Sequence, residues 1–83
     1  MKFYFTYILL CVDNSYYTGM TNDLDRRMTE HQGGKKKSCY TYKKRPLKLV
    51  WYIQCTNPSE AIKIEKQIKG WTRRKKKALI DEK

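Results

Sequence analysis

The sequence is poor in the residues from which metal clusters and disulfide frameworks are built. It holds one histidine, His31, and three cysteines, Cys11, Cys39 and Cys55, widely spaced and without a Cys-x-x-Cys pair. A conventional zinc cluster therefore lacks ligands, and an odd, scattered set of thiols does not describe a disulfide framework. The cysteines read instead as small core or boundary residues in a reducing compartment. Long apolar runs are also missing. Nothing approaches the ~20 residues of a membrane span, and the stretch Phe3 to Val12 passes straight into turn residues without a small-residue cleavage site. The expected setting is the cytoplasm, with no membrane partner. Acidic residues are scarce as well: 8 Asp and Glu face 19 Lys and Arg, a net charge of +11 over 83 residues. That surplus suits a polyphosphate partner, although a merely basic soluble protein, or one that meets anionic membranes or ribosomes, would share it. A chain this short buries one modest core, so residues 1–83 are expected to form a single domain with any active site built on the core elements themselves.

Phe3 to Cys11 is aromatic and β-branched on both parities, which suits a strand covered on both faces and hence central in its sheet. Asp13-Asn14-Ser15 supplies turn chemistry before Tyr16-Tyr17-Thr18 resumes strand character, so the first twenty residues predict a β-hairpin. A three-residue loop pairs Val12 with Tyr16 and puts Tyr17 on the face of Tyr7; a two-residue loop would separate them. Asn22 can cap a helix running to Gln32 and stopped by Gly33-Gly34. Lys35 to Arg45 reads as a solvated basic loop. Pro46 to Cys55 alternates Leu47, Leu49, Trp51 and Ile53 against more polar positions and predicts a third strand. Asn57-Pro58-Ser59-Glu60 is a strong start for a helix over Pro58 to Lys69, and Thr72 can cap another over Arg73 to Ile80. The expected fold is α+β, a small three-stranded antiparallel sheet flanked by helices in the order β-β-α-β-α-α.

Two conflicts with simple patterning stand out. Leu24, Arg27, Met28 and His31 share one helical stripe, which places a guanidinium and an imidazole on the face that should meet the sheet. Either they belong to a site, or Arg27 snorkels or pairs with Asp23 while His31 sits at a frayed end. Glu65 lies at the margin of the stripe formed by Ala61, Ile64, Ile68 and Trp71. An ordinary pair with Lys69 would account for it, and so would a carboxylate that holds a metal together with substrate phosphate.

The ordered set Tyr7-Ile8-Leu9, Tyr17-Thr18-Gly19, Asp23-Leu24-Asp25-Arg26-Arg27, Glu30-His31 and a later Glu65 resembles the GIY-YIG nuclease superfamily over essentially the whole chain, and above all its small stand-alone bacterial members. The resemblance implies roles. Tyr7 is the candidate general base with Tyr17 beside it, Arg27 stabilises phosphate charge, His31 assists positioning or proton transfer, and Glu65 holds one Mg²⁺ or Mn²⁺. These residues are expected to converge on one side of the sheet. Three departures from the family pattern are visible: Phe5-Thr6-Tyr7 replaces Gly-Ile-Tyr, Thr18 stands where an aliphatic residue is usual, and no asparagine follows the glutamate-bearing helix.

Lys35, Lys36, Lys37, Lys43, Lys44 and Arg45, interleaved with Tyr40 and Tyr42, and the cluster Arg73, Arg74 and Lys75 that continues to Lys77, are candidate nucleic-acid contacts through phosphates and base stacking. No recognition motif of known geometry accompanies them, so sequence-specific readout is not indicated. The implied function is a metal-dependent, structure-selective endonuclease acting on DNA in repair or recombination. The alternatives are a catalytically weak nucleic-acid-binding module with the same fold and an interaction subunit whose protein partner supplies specificity.

Overall fold

The computed structural model describes residues 3–33 and 47–82, with the backbone alone at 31–33. The basic loop expected over Lys35 to Arg45 lies outside the described residues. Strands β1 (Tyr4–Leu10), β2 (Tyr16–Thr21) and β3 (Lys48–Cys55) and helices α1 (Leu24–Gly33), α2 (Pro58–Lys69) and α3 (Arg73–Asp81) follow in the order β1-β2-α1-β3-α2-α3. The sheet is antiparallel with spatial order β2-β1-β3. Apolar residues of both parities on β1 thus mark the central strand, as expected of an element covered on both sides.

The hairpin pairs Leu10 with Tyr16, Leu9 with Tyr17 and Tyr7 with Gly19. Its loop is three residues long, as one of the two sequence readings has it, but it spans Val12 to Asn14 and not Asp13 to Ser15. The Cys11 amide donates to the Ser15 carbonyl at 2.9 Å, and the Asn14 amide donates to the Cys11 carbonyl at the same distance. Asn14 takes a left-handed conformation (φ 70), which asparagine tolerates better than most residues, and this closes a three-residue hairpin. Asp13 fixes the turn by accepting from the Ser15 amide at 3.1 Å and the Ser15 hydroxyl at 2.6 Å. The register differs from the expected one by two residues. Since strand side chains alternate with period two, Tyr17 still falls on the face of Tyr7.

Helix α1 begins one residue later than Asn22 would have it. The Asp23 carboxylate accepts from the Arg26 amide at 3.0 Å, and the Arg27 amide closes the first turn on the Asp23 carbonyl at 3.0 Å, so Asp23 is the cap. Asn22 is left to accept from the Arg26 guanidinium at 3.4 Å. The other two starts agree with expectation: Asn57 accepts from the Glu60 amide at 2.7 Å, and Thr72 from the Lys75 amide at 3.3 Å.

The sheet carries a layer on each face. Tyr7, Leu9, Cys11 and Leu47 form one buried cluster, with Tyr17, Leu24, Met28 and Leu49 packed against it, so α1 covers the odd-numbered face of β1. Helix α2 covers the even-numbered face, where the buried Thr6 hydroxyl donates to the Ala61 carbonyl at 2.8 Å. Ile8, Ala61 and Ile68, each at most 2% exposed, complete that layer. β3 serves both layers because of a bulge. Ile8 pairs with Trp51 but Leu9 pairs with Leu49, which leaves Val50 without a partner. The apolar stripe expected along one face of β3 therefore changes sides, Leu47 and Leu49 toward α1, Trp51 and Ile53 toward α2 and α3.

Candidate active site

Tyr7 and Gly19 oppose each other in the β1–β2 ladder, so a side chain at position 19 would point to the same face as the Tyr7 ring. A Cβ placed there would lie 2.5 Å from Tyr7 Oη and 2.7 Å from its Cζ. The phenol therefore lies across β2 in the space that glycine leaves, the whole residue 1% exposed. Tyr17 stands beside it, ring centroids 6.4 Å apart and planes inclined by 43°. Among the described residues β2 pairs with β1 alone, so the two phenols meet over the outer strand of the sheet.

Arg27 does not pair with Asp23. Its Nη1 lies 3.7 Å from a Glu30 carboxylate oxygen, with the side chain 37% exposed, while its buried Nε has no hydrogen-bond partner among the described residues. A guanidinium with an unmet donor and an open fork is ready to accept an anion. It borders a cavity of about 290 Å³ shared with Tyr4, Met20, Thr21 and Asn22, at the end of β2 beyond Gly19. The backbone of His31 belongs to α1, and its side chain lies outside the described residues.

Glu65 departs from the expected convergence. Helix α2 is on the sheet face opposite Tyr7, so the four residues Tyr7, Tyr17, Arg27 and Glu65 do not share one side. The Glu65 carboxylate is 20% exposed and 3.4 Å from Lys69 Nζ, on the flank of α2 that turns toward β2. Lys69 borders a second cavity, about 220 Å³, with Tyr16, Tyr17, Thr18 and Lys76. Tyr17 is common to the tyrosine pair and to this cavity, and thus connects the two faces around the rim of β2. The arrangement straddles that strand instead of lying flat on the sheet.

Among the described residues no three His, Cys, Asp or Glu side chains come together as a metal cluster. One accessible carboxylate, Glu65, fits a hard divalent ion that takes its remaining ligands from water and substrate phosphate, and does not fit a cation caged by protein alone. A hollow of about 470 Å³ elsewhere contains none of these residues; Asp23 and Asp25 in its lining oppose an anionic substrate.

Of the basic cluster at the start of α3, Arg73 lies 4.5 Å over the Tyr16 ring and Lys75 Nζ 4.5 Å over the Trp71 ring, contacts that leave both charges available. Arg74 is exposed. Sequence reasoning named Lys69 only as a partner for Glu65 and Lys76 only within the basic cluster running to Lys77, and it did not place Thr18 beside either of them. The lysines were indistinguishable from a solvated face, and the unusual Thr18 was the one signal available. Cys55 is buried and its thiol is pushed up from its ordinary value, first by desolvation and then by the charge of Glu60. No described helix is long and apolar enough to cross a membrane.

Paired tyrosines over a glycine on an edge strand, an arginine on the next helix and a glutamate on a later one define a nuclease-like domain. The chain belongs to the GIY-YIG family, with residues 3–78 matching the GIY-YIG catalytic domain. It is 42% identical over 82 residues to a UPF0213 protein of Staphylococcus epidermidis, covering 99% of both chains. It is 40% identical over 80 residues to the UPF0213 protein YazA of Bacillus subtilis, covering 96% of this chain and 80% of that one. The solution structure of a UPF0213 protein from Bacillus halodurans superposes with a TM-score of 0.65 at 40% identity, over 98% of this chain and 85% of the other. A protein of E. faecalis gives 0.67 at 35% identity with the same coverage.

Proposed function

We propose that the protein is a metal-dependent endonuclease that hydrolyses phosphodiester bonds in DNA, structure-selectively, in cytoplasmic repair or recombination, and that it acts as one domain. The observation that carries this reading is the Tyr7 phenol held over Gly19 beside Tyr17 at the rim of β2. A phosphodiester at that rim meets phenols from one face, the Arg27 fork at one end of the strand and the Glu65 carboxylate from the other face. Tyr7 Oη, as phenolate, takes the proton of the attacking water as the new P–O bond forms, and the leaving oxygen departs with the bonding pair and takes a proton from solvent water. An unperturbed phenol has a pKa near 10, so this role requires nearby cations that favour the phenolate. Arg27 binds the non-bridging oxygens as charge develops, with a planar pair of donors matched to phosphate. Glu65 would hold one Mg²⁺ or Mn²⁺ with the substrate phosphate, and the bound ion would supply Lewis-acid stabilisation of the developing charge. Opening the Lys69 pair, whose ammonium is half exposed, frees the carboxylate.

The Glu65–Lys69 pair also favours a second reading, a nucleic-acid-binding module whose carboxylate stays committed to lysine. Incubation of nicked, branched and single-stranded DNA with Mg²⁺ or Mn²⁺, against an EDTA control, separates the two. Metal-dependent cleavage of branched or nicked substrates is expected. Salt-dependent binding with no cleavage in either metal would establish the module and reject the nuclease.

A further inference from the structure

The 220 Å³ cavity beneath the other end of β2 has chemistry that the cleavage centre does not use. Tyr16, Tyr17, Thr18, Lys69 and Lys76 line it. Thr18 is 4% exposed, and among the described residues its buried hydroxyl has no hydrogen-bond partner. A buried donor left unmet is unfavourable unless something completes it, and native structures rarely tolerate one without a reason. Two ammonium groups border the same hollow. Lys69 is half exposed and shares its charge with Glu65 at 3.4 Å; among the described residues Lys76 has no carboxylate within ion-pair distance. The Arg73 guanidinium, 4.5 Å from the centre of the Tyr16 ring, adds a third positive charge at the border.

We propose that this cavity binds a phosphate group of the nucleic-acid backbone, separate from the phosphate that is cut, with Lys69 and Lys76 supplying charge and the Thr18 hydroxyl supplying a directed donor. Its volume exceeds that of several waters yet falls below the ~300–1,000 Å³ of sites that enclose a whole small ligand. A group presented by a chain passing outside fits that size. Thr18 and both lysines line the same hollow, and the half-exposed Lys69 chain can turn from Glu65 toward a phosphate there. With Arg27 at the far end of β2, cations then stand on either side of the tyrosine pair. A strand bound at both ends would lie across Tyr7 in a fixed direction. The inference rests on the nucleic-acid-binding half of the reading above and not on cleavage.

The test uses the full chain in EDTA, with anisotropy of a labelled DNA duplex measured over a salt series. Lys76→Gln is expected to weaken binding about 3- to 10-fold near 0.1 M salt and to flatten the slope of log K on log salt by about 0.9, the loss of one phosphate contact. Thr18→Val keeps the shape, removes only the hydroxyl and should weaken binding in the same direction with no loss of thermal stability. Lys63→Gln, on the exposed side of α2, should leave the slope unchanged. In a second arm, inorganic phosphate titrated into the protein should shift the amide resonances of Thr18, Lys69 and Lys76 together and saturably, and DNA should displace it. Equal losses for Lys63→Gln and Lys76→Gln, or phosphate shifts spread over every lysine, would overturn the site. Saturable phosphate binding that DNA does not displace would overturn the assignment to a backbone phosphate. DNA binding that follows the expected pattern without cleavage in any metal would sustain the site while rejecting the nuclease.

Discussion

Gly19→Ala tests the geometry most directly, because it adds one methyl group at the point where the tyrosine crosses the strand. The new Cβ would sit 2.5 Å from Tyr7 Oη, 2.7 Å from Cζ and 3.2 Å from Tyr17 Cε1, against an ordinary contact of at least 3.4 Å. Relief requires the phenol to move by about 0.9 Å, the difference between the ordinary and the imposed contact. The Tyr7 ring is 1% exposed and belongs to the buried cluster with Leu9, Cys11 and Leu47, so it cannot move without disturbing packed neighbours. Overpacking of this kind costs about 1–3 kcal/mol. In a domain of this size that is a fall in Tm of roughly 4–8 °C per kcal/mol. Misplacement of a reacting group by about 1 Å lowers rates by ~10²-fold. Thermal and urea denaturation report the first effect, and single-turnover cleavage of a branched duplex, normalised to folded protein, reports the second. A variant that cuts at the wild-type rate would show that the hydroxyl is not held in place by this contact. Wild-type stability would show that the ring is not confined there at all. Either result would remove the observation on which the functional proposal stands.

Glu65→Gln should abolish metal-dependent cleavage while changing the unfolding free energy by about 1 kcal/mol or less, since it keeps the side-chain shape and breaks one pair with the half-exposed Lys69; retained activity would take the metal away from this residue. Tyr7→Phe preserves the ring and deletes the hydroxyl, so cleavage should fall about 10²- to 10⁴-fold; near-normal rates would move the general base to Tyr17 or His31. Thr6→Val removes the donor to the Ala61 carbonyl at 2.8 Å and should cost about 1 kcal/mol in urea denaturation at constant m-value; an unchanged midpoint would mean that the bond adds nothing to docking of α2. Cys55 has its thiol pKa raised by burial and by Glu60. Its contribution to stability is therefore complete below the unfolded thiol's pKa and is lost as pH rises through the folded value, because the unfolded chain sheds the proton first. Denaturation at pH 7 and pH 10 should show a steeper decline for the wild type than for Cys55→Ala; parallel declines would assign the alkaline loss to other groups.

The elements were legible in the sequence because their local chemistry was unambiguous: Asn57-Pro58 and Thr72 start α2 and α3 where capping residues should, and the mixed parity of β1 marks the central strand. The shared face of Tyr7 and Tyr17 was legible only as one of two registers, because a hairpin of given parity can slide by two residues without changing which side chains meet. Two features were not legible. The sidedness of α2 depends on Thr6 reaching the Ala61 carbonyl, 55 residues away in sequence, a contact no local pattern encodes, and so Glu65 was placed on the wrong side. The reversal of β3 depends on one unpaired residue, Val50, in a segment whose alternation looks uninterrupted.

That unpaired residue also limits how the chain can tolerate change in length. A strand that serves one layer can lose two residues and slide, keeping its outward and inward positions. β3 cannot, because its first half is committed to the α1 side and its second half to the side of α2 and α3, with Val50 as the joint between them. Excising Val50 would remove the bulge and make Leu49 and Trp51 neighbours, so ordinary alternation would keep Leu49 toward α1 and Trp51 and Ile53 on the α2 side, where Leu79 borders a hollow with them. A deletion of one residue elsewhere in the strand, with the bulge kept, would exchange the faces of all that follows: loss of Tyr52 would bring Ile53 opposite Tyr7. Insertions and deletions in related chains should cluster in the connections outside β3, and a single-residue deletion within it should fall at the bulge, position 50.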